Sequence, residues 1–446
     1  MTDFSVEATR FQTPDASTLQ AGRVVIAVAG GEITAVAPAD SAAAVELRAQ
    51  SPDHIDLGPD TVLIPGLIDL HIHAPQWQQL GTALDLPVQD WLQTYTFPLE
   101  ARFTDTTMAG VVYRDLVASL LAHGTTTAVY FASVHEPATV VLAETCAAAG
   151  QRAFVGRVAM DHPEATPDWY RDADAATGVL ASARSIDAVR AIDAGRGLVE
   201  PIITPRFLPA CTDELLSGLG ELAETTGTLV QTHCSESDWH HAHALERFGT
   251  TDTSALDRFG LLRNRTVLAH GNHITDADIA LIADRGAVIG HCPVSNAYFA
   301  NAVLPVPDLL AAGARVGLGT DIGAGVRPGV LQQCHEAVTM SRLRRDGVHA
   351  GLSSTERGAP TAAIDTTTAF WLATAGGAEA LDLALGVLEP GYRFDAVAID
   401  LDHRHGVIRR HTDLDDDERL FEKVVRLAQT SDIERVWVDG RTVHLR

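Results

Sequence analysis

The chain has 446 residues, 46% hydrophobic and 20% charged, with 33 basic against 58 acidic side chains and a formal net charge of −25. That length exceeds an ordinary domain of roughly 100–200 residues unless the chain is a barrel, and so apolar a composition excludes wholesale disorder. A surface this acidic repels phosphate backbones and anionic lipid, so no nucleic acid and no membrane is expected as a partner, whereas a small neutral molecule stays open. No apolar run reaches the roughly 18 residues of a bilayer span, and the first residues lack a basic and then apolar leader. Five scattered cysteines, Cys146, Cys211, Cys234, Cys292 and Cys334, suit a reducing compartment, so a cytoplasmic protein is expected.

In chain order, β-rich runs over 24–28 and 32–36 flank Gly30-Gly31 and read as a hairpin. Short apolar runs then alternate with longer Ala/Leu-rich stretches of helical character. Residues 67–70 end at His71, 127–131 at Ala132-Ser133, 153–159 at Met160-Asp161, and 200–203 at Thr204-Pro205-Arg206-Phe207. Residues 228–231 end at Thr232-His233, 267–269 at His270, 287–289 at Gly290-His291, and 316–318 at Gly319-Thr320-Asp321. Eight strands separated by helices predict parallel βαβ units closed into a TIM (β/α)8 barrel, with its chemistry at the C-terminal strand ends. The acidic run over 413–418 reads as a solvated loop or helix start. Strand-like runs over 394–399, 435–438 and 442–445, the last two joined at Asp439-Gly440, return to β character. The expected organisation is α/β: the barrel over 66–385, and a small β-sandwich domain from residues 1–65 and 386–446, the latter with a final helix and hairpin.

His71-Ile72-His73 closes the first barrel strand. Residues i and i+2 of a strand point the same way, so the two imidazoles converge as metal ligands must. Alone, such a pair is weak evidence. His233, His270 and Asp321, each directly after a predicted strand, add nitrogen ligands and one carboxylate, the donor set of a hydrolytic zinc or iron site. Bridged two-metal barrels of this kind use a carboxylated lysine near the fourth strand, and the only lysine here is Lys423, beyond the barrel. One ion per chain is therefore expected. Bound there, it would lower the pKa of a water from about 15.7 toward 7. Asp321 is placed to bind the ion and accept the water's proton, His270 to orient the attacking oxygen if it is not a ligand, and Glu236, three residues after His233, to shuttle protons to a substrate. His240, His241, His243 and His273 read as surface histidines, and His291 as a residue near the pocket.

The stretch from Pro65 to Phe103, with His71-Ile72-His73-Ala74-Pro75-Gln76, Asp85-Leu86-Pro87, Tyr95-Thr96-Phe97-Pro98 and Glu100-Ala101-Arg102-Phe103, resembles the guanine deaminases of the amidohydrolase superfamily. The likeness continues in Gly124-Thr125-Thr126-Thr127-Ala128, Thr204-Pro205-Arg206-Phe207, Ala269-His270-Gly271, His291-Cys292-Pro293-Val294-Ser295-Asn296 and Gly317-Leu318-Gly319-Thr320-Asp321, and extends over roughly residues 60–446. It implies hydrolytic deamination of guanine to xanthine and ammonia by hydroxide generated at one zinc, with iron as the other candidate. It also implies zinc at His71, His73, His233 and Asp321, proton transfer by Glu236 and Asp321, and a cytoplasmic homodimer. In the substrate pocket it implies Gln76 and Arg206 on the polar edge of guanine and Phe207 against the ring. Those roles agree with their chemistry: a guanidinium offers a charged donor fork to O6, an amide donates and accepts, and an aromatic ring stacks. The segment 75–103 is a candidate lid. The alternatives are a deaminase of another aminated heterocycle, such as 8-oxoguanine or a pterin, and a catalytically inactive barrel that only binds. On this reading Arg206→Ala weakens turnover far more than folding.

Overall fold

Five strands open the chain in the computed structural model, which describes residues 3–192 and 195–446: β1 (Phe4–Asp15), β2 (Thr18–Ala29), β3 (Glu32–Pro38), β4 (His54–Asp56) and β5 (Thr61–Pro65). The expected hairpin is β2–β3, turning at Gly30 and Gly31, both with positive φ. β1 is an addition that the apolar pattern does not announce. Its Glu7 and Arg10 interrupt the hydrophobic run, and both charges are matched, Glu7 by Arg23 at 3.0 Å and Arg48 at 2.7 Å, Arg10 by Glu389 at 2.7 Å.

Nine strands follow: β6 (Leu67–His73), β7 (Thr125–Phe131), β8 (Arg152–Gly156), β9 (Val158–Ala159), β10 (Val199–Pro205), β11 (Leu229–Cys234), β12 (Val267–His270), β13 (Val288–His291) and β14 (Arg315–Leu318). Eight run parallel in the order β6-β7-β8-β10-β11-β12-β13-β14, with the short β9 extending β8 along β10. The ring closes where residues after β14 meet β6. Ile72 bridges Ile322 in parallel, Asp321 N–H donates to His71 O at 2.9 Å, and His73 N–H donates to Ile322 O at 2.6 Å. This is the expected (β/α)8 barrel. Ile68, Leu70, Val129, Phe154, Ile202, Val267 and Val288, from six different strands, fill its interior in one cluster with Ala378 and Leu381. Those last two belong to the helix Ala375–Leu381, which stops the end at which the strands begin.

The chain ends in β15 (Ala396–Asp400), β16 (Ile433–Val438) and β17 (Arg441–Leu445). β15 pairs with β5, so both chain ends share one sheet in the order β17-β16-β15-β5-β1-β2-β3, with β4 on β1. The small β domain is thus a single hydrogen-bonded sheet of eight strands, and the layers of a sandwich are not separate sheets. Its alternation is clean: Val6, Ala8, Ile26, Val28, Leu63 and Trp437 pack on one face, while Val62, Ile64, Val397 and Val436 join the main core. The acidic run supplies Asp416 as N-cap of the helix Asp417–Leu427, and the neighbouring Asp415 accepts from Lys423 at 2.6 Å. All five cysteines are free and buried, and among the described residues no helix is long and apolar enough to cross a membrane.

Candidate active site and metal centre

His71 and His73 reach the barrel mouth because β6 breaks its own alternation. Ile68 and Leu70 face the interior, so strict period-two pleating would turn residues 71 and 73 outward. The register of β6 against β7 shifts between Asp69 and Ile72, and this bulge re-aims both imidazoles. The fully buried Asp69 pins the crossing. Its carboxylate accepts from Thr320 N–H at 3.0 Å, the Thr320 hydroxyl at 2.6 Å and His71 N–H at 3.2 Å, and burial pushes its pKa up to about 7. Gly319 passes so close that a Cβ there would lie 2.9 Å from both His71 Cβ and Cys292 Sγ. Ser235, His270 and Asp321 all have positive φ (46°, 76° and 52°), turning the chain sharply just where the barrel needs its polar side chains.

The five residues expected at the strand ends converge. Asp321 Oδ1 lies 3.2 Å from His71 Nε2 and 3.7 Å from His73 Nε2, and the Nε2 atoms of His73 and His233 are 3.0 Å apart. His270 Nε2 stands 4.0 Å from Asp321 Oδ2 and 3.8 Å from Glu236 Oε1. Two sets could hold a cation: His71, His73 and Asp321, and His71, His233 and His270. His270 is therefore within ligand range as well as beside both carboxylates. Backbone and side-chain acceptors set two tautomers: His233 Nδ1–H donates to Arg206 O at 2.5 Å and His270 Nδ1–H to Asn296 Oδ1 at 2.9 Å, so both Nε2 lone pairs point inward. Phe131, at the end of β7, lies 4.7–4.9 Å by ring centroid from His71, His73 and His233 and holds the three rings in place.

These donors fit a metal ion. His71 Nδ1 and Nε2, His73 Nδ1 and His270 Nε2 are buried without a hydrogen-bond partner, a costly arrangement unless something else occupies them. Ligands about 2.1 Å from a tetrahedral zinc are about 3.4 Å from one another, and the separations here bracket that value. Burial, and then the neighbouring imidazoles, hold His73 and His233 well below the usual histidine range, the neutral state that ligation requires. Burial works against the charge on Asp321, but the close imidazole of His71, then those of His270 and His73, outweigh it and lower its pKa.

Above this centre is a small cavity that opens to solvent. His73, His233, His270, Glu236 and Asp321 line it together with Gln76, Arg206 and Phe207, so all the residues expected at the site except His71, which lies beneath them, border a single space. Phe207 packs edge-on to His240, centroids 5.2 Å apart. Val88, Trp91, Leu92 and Phe299 supply apolar wall that the sequence reading does not assign to the pocket. Val88, Trp91 and Leu92 come from 75–103, a chain of short helical turns that includes a π turn over Leu92–Thr96, a feature frequent at functional sites.

Two groups near the site have places that the sequence reading does not assign them. Glu100, fully buried, joins Arg206, Gln76 and Tyr170. His240 is a correction: it is buried rather than on the surface, with Nε2 3.1 Å from Asp252 Oδ1 and Nδ1 3.4 Å from Glu236 N. Asp252 Oδ2 in turn accepts from Ser235 N–H at 3.0 Å and its hydroxyl at 2.8 Å, so this pair brackets the turn carrying Glu236. Burial lowers the His240 pKa, but the Asp252 charge outweighs it and the net shift is upward; Asp252 shifts down in concert. Removing one partner of a buried pair costs about 3–5 kcal/mol, so His240→Ala is expected to lose that much stability in urea unfolding. A raised folded pKa gives stabilisation that is complete below 6.5 and fades as pH rises through the folded value, so the variant's penalty is larger in mild acid than in alkali. A penalty that grows with pH contradicts the pairing.

Comparison with known proteins places this geometry. The Amidohydrolase family model matches residues 62–443. The guanine deaminase of Dictyostelium discoideum is 37% identical over 400 residues, 87% of this chain and 84% of that protein. A probable guanine deaminase of Schizosaccharomyces pombe is also 37% identical, over 87% of this chain and 72% of its own length. The crystal structure of the guanine deaminase from C. acetobutylicum, with guanine bound in its active site, superposes with a TM-score of 0.87 at 28% identity, covering 99% of each chain. The chain belongs to the amidohydrolase family, on its guanine deaminase branch.

Proposed function

We propose that this chain hydrolyses guanine to xanthine and ammonia, with one zinc ion held by His71, His73, His233 and Asp321. The observation that carries the reading is the shared cavity: a donor-rich wall at Gln76 and Arg206 beside the carboxylates of Glu236 and Asp321. An ion bound at the four ligands supplies a water acidified from about 15.7 toward 7. The residues do the rest. Arg206 and Gln76 bind the polar edge of the purine, and Phe207 covers its ring. Asp321, held ionised, accepts the proton of the water whose oxygen bonds to C2. Glu236 delivers a proton to N3, and His270, through its inward Nε2, orients the attacking oxygen. Glu236, deprotonated by that transfer, takes the proton of the new C2 hydroxyl, a proton passes to the amino group through Asp321 or Glu236, the C2–N bond breaks as the C2 carbonyl forms, and ammonia leaves.

The only lysine, Lys423, is engaged with Asp415 on the helix Asp417–Leu427, outside the barrel, which supports a single ion. Family likeness supports a homodimer, checked by a solution mass twice that of the chain. The free cysteines support a reducing, cytoplasmic setting.

The test is a substrate panel with ammonia detection. Guanine yields equimolar xanthine and ammonia, faster than 8-oxoguanine or pterin. No ammonia from guanine with the zinc-loaded protein overturns the reading, and preference for another member of the panel moves it to that heterocycle.

A further inference from the structure

Glu100 sits behind the pocket with no access to solvent, on the helix Phe97–Ala101. Its carboxylate accepts four hydrogen bonds: Arg206 Nη1 to Oε2 at 2.6 Å, Arg206 Nη2 to Oε1 at 3.2 Å, Gln76 Nε2 to Oε1 at 2.8 Å, and the Tyr170 hydroxyl to Oε2 at 2.8 Å. A carboxylate has about four lone-pair sites, so this one is saturated and has nothing left for a substrate. Its effect is on its partners. The Gln76 amide is held at both ends, because its Oε1 accepts Gly323 N–H at 3.3 Å. Flipping that amide would set its oxygen against the carboxylate and its nitrogen against an N–H, losing both bonds. Arg206 carries no acceptor at all, and it is clamped further by the Phe97 ring, 4.9 Å from Cζ to centroid.

We propose that Glu100 is a positioning residue that fixes the specificity of the pocket: by holding Gln76 and Arg206 it orients their free N–H groups toward the ligand, so the site selects a purine with an oxo group at C6 over one with an amino group. The proposal rests on the guanine reading, since it takes Gln76 and Arg206 as the substrate's polar wall. An oxo group accepts from such a wall. An amino group turns a donor toward donors in a buried site and leaves both sides unpaired, the arrangement that discriminates most strongly between close analogues.

The test measures equilibrium binding, by calorimetry, of three purines lacking the 2-amino group: hypoxanthine with oxygen at C6, unsubstituted purine, and adenine. The zinc-loaded native protein is expected to bind hypoxanthine at least about 100-fold more tightly than adenine. Glu100→Gln, which keeps the size but can present a donor to Gln76 and Arg206, is expected to weaken hypoxanthine by about 100-fold, leave purine within about threefold, and narrow the hypoxanthine-to-adenine ratio at least tenfold. Equal weakening of all three ligands means that Glu100 only supports the fold and overturns the proposal, as does a native protein indifferent to the C6 group. Tyr170→Phe, which removes one of the four donors and no charge, narrows the ratio in the same direction by less and decides the matter if the glutamine variant does not fold. Ammonia release from guanine is scored separately, so loss of the deaminase reading is distinguishable from loss of this one.

Discussion

Replacing Asp321 by asparagine is expected to abolish guanine turnover, by about 10⁴-fold or more, while the barrel stays folded. The isosteric change removes one charge from the centre of the site, and that charge has two functions. On the proposed mechanism it is the anionic member of the ligand set, 3.2 Å from His71 and 3.7 Å from His73, and the base that takes the proton of the attacking water. General-base loss alone is worth about 10²–10⁴ in rate, and loss of a ligand adds to it. The backbone should survive, because Asp321 N–H donates to His71 O whatever the side chain. The measurement is kcat for ammonia release together with metal content by elemental analysis. Near-normal turnover with a full complement of metal contradicts both assignments.

Arg206→Ala is expected to lower kcat/KM for guanine by about 10²–10³-fold, the loss of a charged donor fork in a dry site. The structure adds a second effect to the sequence expectation of a variant that folds almost normally. Arg206 is the buried counter-charge of Glu100, and the Ala variant leaves that carboxylate unpaired, at a cost of about 3–5 kcal/mol. Burial pulls the guanidinium pKa down, but Glu100 outweighs it, so the residue stays charged. The two effects separate in the double variant Arg206→Ala with Glu100→Gln, which should regain much of the lost stability in urea unfolding and none of the lost kcat/KM. Recovery of activity with stability would mean that Arg206 acts only through the fold.

How much of this is legible in the sequence follows from what each residue answers to. His71, His73, His233, His270 and Asp321 stand out because a barrel strand is a short apolar run, and a polar residue closing it is conspicuous. Their convergence needs a bulge between Asp69 and Ile72 that no period-two pattern contains, and it is the bulge, with the Asp69 clip, that turns the two imidazoles inward. Glu100 and His240 are invisible for the opposite reason. Each is a polar residue on a short helix, where burial is decided by partners far away in sequence: Arg206 for one, Asp252 for the other. Among the run of histidines at 240, 241 and 243, local pattern cannot tell the buried one from its neighbours. In the β domain the Gly30-Gly31 turn declares its hairpin, whereas β1 hides behind charges whose partners, Arg23, Arg48 and Glu389, lie in other elements.

The central claim is that strand ends remote in sequence grip one catalytic metal beside a guanine-recognising wall. The most direct test strips the protein of metal and titrates zinc back while following ammonia release from guanine. Activity absent without metal, rising with added zinc and levelling at one equivalent per chain, is the result this account predicts. Turnover that persists in the stripped protein, or that climbs until a second equivalent is bound, contradicts it.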